Sequence, residues 1–174
     1  NTGKVGGAAV AGLAAAIGTA VTAMGALVAR SAEYARQVDE AASQSGMAAE
    51  EIQKIAFAAD KVSGVQFDTV KDGLKELAIR SQEAAMGTGE AKEAFDELGI
   101  SQQFLKDSSP SEIFSRVRQE LQGASARMRT FAAEAIFGGE AGERFTEVLS
   151  LSADEFSRLR GEAKASGKVL SGSQ

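Results

Sequence analysis

"FDTVKDGLKELAIRSQEAAMGTGEAKEAFDELGIS", residues 67–101, is the stretch whose reading decides the fold class. Phe67, Val70, Leu74, Leu77 and Ala78 recur at steps of three and four, which lines one face of an α-helix. Lys71, Lys75, Glu76 and Arg80 fall mostly outward from that face. The helix should fray at Gly87. Thr88 is then placed to cap a second helix holding Ala91, Ala94, Phe95 and Leu98. Gly99 ends that helix because a residue without Cβ takes the left-handed conformation cheaply, and Ile100 is placed to fold back as an apolar partner of the cap.

The same grammar extends outward on both sides. Upstream, a helix through Tyr34 and Val38 should close before Gly46, and one lined by Ile52, Ile55, Ala56, Phe57 and Ala59 should stop before Gly64. Downstream, Ser109, Pro110, Ser111 and Glu112 read as a helix start: a hydroxyl cap, proline at the first helical site, and a glutamate three residues on to bond back. That helix buries Ile113, Phe114, Val117 and Leu121 and ends at Gly123. Another follows with Met128, Phe131, Ala132, Ala135 and Ile136, ended by Gly138 and Gly139. Ser152 and Glu155 repeat the capping pattern before Phe156 and Leu159, and the chain from Gly167 reads as frayed or linker-like.

Composition points the same way. The chain has 174 residues, 44% hydrophobic, with one proline, no tryptophan and 6% aromatics, which favours helices and offers few anchors for a sheet. The expected class is all-α: a long N-terminal apolar, coiled-coil-like helix, then a series of short amphipathic helices separated by glycine turns. Its expected divisions are 1–45, a self-association or membrane-active segment; 46–151, the helical domain; and 152–174, a last helix and linker.

The N-terminal run is the unusual part. No charge lies between Lys4 and Arg30, so Val5 to Ala29 is long enough, at about 1.5 Å per helical residue, to cross a bilayer core. Its alanine and glycine content gives it a much weaker apolar drive than a leucine-rich span. Val10, Leu13, Ile17, Ala20, Met24 and Leu27 alternate steps of three and four, and Tyr34 and Val38 continue that register. Such a seam seeks another helix, and Ala14, Gly18 and Thr22 at four-residue spacing would let two backbones approach closely. We therefore expect a homo-oligomer, with membrane entry as the competing use of the same run. Because the sequence begins at Asn1 and enters this run directly, it reads as a stretch of a longer chain.

Chemistry is thinly supplied. With no cysteine and no histidine, the chain lacks disulfides, thiolate and imidazole ligands, and the usual general base. A formal charge of −5 sets an unfavourable field for nucleic acid, and no specific nucleic-acid partner is expected. Gly87 to Lys92 has a loose likeness to a phosphate loop, but the glycine directly before the lysine and the preceding strand are missing. Asp39 with Glu40, and Glu50 with Glu51, are adjacent carboxylates that point apart on a helix. Arg116, Arg118, Arg127 and Arg129 are interleaved with Glu112, Glu120 and Glu134, which favours pairing within the helices. No catalytic, cofactor or metal residues are expected, and the chain reads as non-enzymatic.

The order of these features resembles the conserved N-terminal region of phage tail tape-measure proteins. The resemblance runs from Arg30 to Leu151: a short helix between two glycines, a longer helix, a "G-T-G-E-A" link, an "F-x-x-L-G-I" helix end, and an "A-x-x-I-F-G" segment within "AEAIFGGEAGERFTEVL", Ala133 to Leu149. Gly46, Gly64, Gly99 and Gly138 match as helix-terminating turns. Ala48 departs from the pattern where a capping Ser or Thr is expected, and Gly139 where a basic residue is frequent. The resemblance implies a virion protein that occupies the tail-tube lumen, sets tail length and leaves during genome delivery. It implies tail-tube and tail-tip proteins and tail assembly chaperones as partners, and channel or membrane activity at the host cell envelope.

Overall fold

The computed structural model describes residues 31–166. The chain divides into two compact units, residues 1–37 and 38–174, and each is taken by itself. Residues 1–30 and 167–174 lie outside the described residues, and with them most of the expected seam, Val10 through Leu27, and the expected C-terminal linker.

Every regular element among the described residues is a helix, which establishes the all-α class. The first, α1, covers residues 31–45. Its residues 31–37 belong to the first unit, where Glu33 pairs with Arg36 at 2.7 Å and Tyr34 is half-buried. The second unit holds the rest of α1 and α2 (Ala49–Ser63), α3 (Phe67–Ala85), α4 (Lys92–Glu97), α5 (Gln102–Asp107), α6 (Pro110–Gly123), α7 (Ala126–Phe137), α8 (Gly139–Leu149) and α9 (Ala153–Ala165).

The longest of these, α3, is the central member: α2, α4, α5, α6, α7 and α8 all pack on it. Its buried positions, Val70, Gly73, Leu74, Leu77, Ser81, Ala84 and Ala85, hold the spacing expected of one helical face. Gly73 matters by its size, because a Cβ there would come within 3.2 Å of the Phe145 ring and 3.3 Å of the Ala141 methyl. The bare backbone thus lets α8 lie against α3. Next, α7 and α8 form the tightest pair. A Cβ on Gly142 would stand 2.2 Å from the Ala133 carbonyl oxygen, inside van der Waals contact, so these helices touch backbone to backbone.

Aromatic rings fill the space between α6, α7, α8 and α9. Phe137 stacks on Phe145 with centroids 5.4 Å apart, Phe114 meets Phe137 edge-on at 6.0 Å, and Phe156 leans on Phe114 at 6.2 Å. Finally, α9 packs chiefly on α2 and runs back along it: Arg160 pairs with Glu51 near the start of α2, whereas Ser152 and Glu155 lie beside Val62 near its end.

The helix signals read from the sequence mostly fall where expected, with informative differences. The Ser109 hydroxyl accepts from the Glu112 amide and the Glu112 carboxylate accepts from the Ser109 amide at 2.7 Å, a complete capping box with Pro110 in the first turn. Ser152 accepts from the Glu155 amide at 3.2 Å. Ala48 stands at the start of α2 with no side-chain cap. The Gly99 and Ile100 amides close α4 by donating to the Asp96 and Phe95 carbonyls, and Ile100 drops into the core.

Thr88 does not cap α4. Its hydroxyl donates to the Glu83 carbonyl at 3.2 Å and so finishes α3 instead. Gly139 does not help to end α7; it is the first residue of α8, and Gly138 alone joins the two helices. Phe131 is 38% exposed, because Ala133 and Phe137 take the buried face of α7 beside Ala132 and Ile136. Arg80, expected to point outward, donates to the Ala135 carbonyl at 2.7 Å and satisfies an end of α7 that no residue of α7 can reach.

Candidate functional site

The four turn glycines of the sequence reading all take positive φ: 68° at Gly46, 63° at Gly64, 71° at Gly99 and 82° at Gly138. Gly138 is the most restrictive. Its ψ of 148° puts it in a region that side-chain-bearing residues almost never enter, and a Cβ there would also crowd Glu76 at 3.3 Å. These glycines lie at the joints between successive helices. Of the seam, Val38 is buried within the second unit and Tyr34 is half-buried in the first; Val10, Leu13, Ile17, Ala20, Met24 and Leu27 lie outside the described residues.

Clusters that could have carried chemistry resolve into local pairing. Glu50 and Glu51 both bind Lys54, at 2.8 and 3.1 Å. The Lys54–Glu50 contact lowers the Glu50 carboxyl and raises the Lys54 ammonium from their ordinary values. Around the phosphate-loop-like stretch, Lys92 turns to Asp96 at 2.5 Å. The Glu83 side chain fills the space next to Gly89. Arg116 pairs with Glu120 at 2.9 Å, as expected from the spacing, and Arg129 donates to the Ala124 carbonyl at 3.0 Å. Among the described residues no group of acidic, histidine or cysteine side chains is arranged to hold a metal ion, and no helix is long and apolar enough to cross a membrane.

Arg118 is the exception, and sequence reasoning missed it. It is only 7% exposed, and among the described residues no carboxylate forms an ion pair with it, the neighbouring arginines taking Glu120 and Glu51. Its guanidinium lies on the Phe156 ring, 3.6 Å from centroid to Cζ, and one terminal nitrogen donates to the Leu151 carbonyl at 2.8 Å. Gln122 donates to the same carbonyl at 2.8 Å. The Arg118 Nε, fully buried, has no hydrogen-bond partner. Arg160 approaches the same ring at 5.7 Å and is held outward by Glu51. Burial, and secondarily the charge of Arg160, pull Arg118 down to about 10, which leaves it charged at neutral pH. A faint signal for this was present: Arg118 sits one residue after Val117 and three before Leu121, on the edge of the apolar face of α6.

Comparison of the chain with models of protein families, with curated proteins and with solved structures gave no match.

Proposed function

We propose that this chain is a structural, non-enzymatic segment of a phage tail tape-measure protein. It occupies the tail-tube lumen, sets tail length and is released during genome delivery. One observation carries the reading: the ordered series "G-T-G-E-A", "F-x-x-L-G-I" and "A-x-x-I-F-G", residues 87–91, 95–100 and 133–138, in a chain with the glycine-punctuated helices that go with it. The fold supports it in one respect. Each element of the series ends or joins helices, at Gly87, Gly99 and Gly138, so the residues that carry the likeness have a structural reason to be what they are. The partners in this reading are a second copy through the N-terminal seam, tail-tube and tail-tip proteins, and assembly chaperones.

Mass spectrometry of purified tails tests the proposal. Peptides of this chain are expected in assembled particles, and in-frame deletions of the gene should shorten the tail, by about 1.5 Å for each residue removed from stretches that run as extended helix. Tails that lack these peptides, or that keep their length after a deletion, would overturn it.

A second reading is favoured by the uncharged run from Val5 to Ala29: a membrane-active or pore-forming helix that assists DNA passage through the host envelope. Dye release from liposomes, lost when Val10 to Leu27 is removed, is its expected signature; an equal release by the shortened chain would refute it.

A further inference from the structure

We propose that α9 is a strap that opens as a unit from the second unit of the fold, and that the buried Arg118 guanidinium is what keeps opening easy. The helix adds little to the core: Phe156, Leu159 and Ala163 are its buried residues, and the rest of its length faces solvent. By contrast, α3 is covered by helices on most of its length. What holds α9 down is its apolar contact with α2, the Arg160–Glu51 pair and the Phe156 ring between Phe114 and Arg118.

The last of these contacts works in both directions. With α9 closed, Phe156 stacks on a guanidinium whose Nε is shut away from water with no partner among the described residues, and the same ring carries a second arginine, Arg160, whose charge opposes that of Arg118. A buried charge with an unmet donor costs free energy that its single carbonyl contact to Leu151 and the ring only partly offset. When α9 lifts, Arg118 regains water and that cost vanishes, while the core around α3 stays intact. Opening therefore uncovers Phe114 and Arg118 together, on the side of α6 that meets Leu151 and Phe156.

Native-state hydrogen exchange on the 174-residue chain reads this directly. Amides of residues 156–165 are expected to exchange as one group, roughly 100-fold faster than those of Leu74 and Leu77. Arg118→Met keeps the length of the side chain and removes the charge, and it should slow exchange of that group about tenfold. Arg160→Gln releases the tie to Glu51 and should speed it about threefold. Three results would overturn the proposal: α9 amides as slow as those of Leu77, an Arg118→Met chain whose α9 exchanges as fast as before or faster, or no change in Arg160→Gln. If Arg118→Met does not fold, Arg118→Leu, which also removes the buried charge, takes its place with the same expected slowing and the same overturning result.

Discussion

At the scale of single residues, the fold depends on places where a side chain would not fit. Gly142 is the clearest. A methyl group there would meet the Ala133 carbonyl oxygen at 2.2 Å and the Glu134 Cα at 2.6 Å, both backbone atoms that cannot swing aside. Gly142→Ala is therefore expected to destabilise the chain by about 4 kcal/mol, measured by urea unfolding. Gly73→Ala is the natural comparison, because its methyl would meet side-chain atoms at 3.2 and 3.3 Å that can shift slightly. There the gain in helix propensity, about 1 kcal/mol, should nearly cancel the crowding, so a cost equal to that of Gly142→Ala would contradict this account. Neither glycine is distinguishable in the sequence from one that merely weakens a helix. Gly46, Gly64 and Gly99 were legible because each follows a periodic apolar run, where a left-handed residue is the ordinary way to stop. Arg118 was illegible for a related reason: it sits among arginines that have glutamate partners, although no glutamate stands three or four residues from it, and its contacts are Leu151 and Phe156, which arrive from distant parts of the chain.

At the scale of elements, the capping box of α6 gives a dependence on pH. The Ser109 hydroxyl and then the Ser109 amide, both bonded to the Glu112 carboxylate, hold its pKa below the ordinary value. Because the folded value is the lower one, the contribution of this box is complete above the unfolded-state value and is lost as pH falls through the folded one. Thermal unfolding followed from pH 7 to pH 3 should show a fall in stability that Glu112→Gln makes shallower. An identical fall in the variant would show that the box plays no part. Elements of this kind were legible, since their signal lies within four consecutive residues. The short α5 and all of α8 were not. Ser101 caps α5 without a glutamate three residues on to announce it, and α8 begins at a pair of glycines that reads as a stop. A helix can start there because Gly138 reaches a backbone conformation closed to other residues, and because Ala141, Phe145, Val148 and Leu149 have α3 and α7 to bury against.

At the scale of the whole molecule, the sequence supplied most of the helices and left their pairing unstated. The seam from Val10 to Leu27 with Tyr34 and Val38 remains a statement about association. Sedimentation of the chain carrying Ile17→Asp and Met24→Asp should show a shift from oligomer to monomer, and an unchanged distribution would rule the seam out as the contact. Within the second unit, periodicity named most of the buried residues correctly, including Ile52, Leu74, Leu77, Phe95, Ile113, Val117 and Ile136. It could not say that α3 would be the shared neighbour, because that follows from how six helices of different length share one apolar volume.

The direct backbone contact of α7 with α8 has a consequence in time. These two helices are neighbours in sequence, joined by one glycine, and make the closest pairing in the unit, so their contact closes only a short loop and loses little chain entropy. They are therefore expected to form the nucleus around which the more distant partners condense, with α9 joining late. In stopped-flow kinetics, Phe137→Leu should slow folding in proportion to its loss of stability, whereas Leu159→Ala should leave the folding rate nearly unchanged and speed unfolding. The reverse pattern would place the nucleus elsewhere.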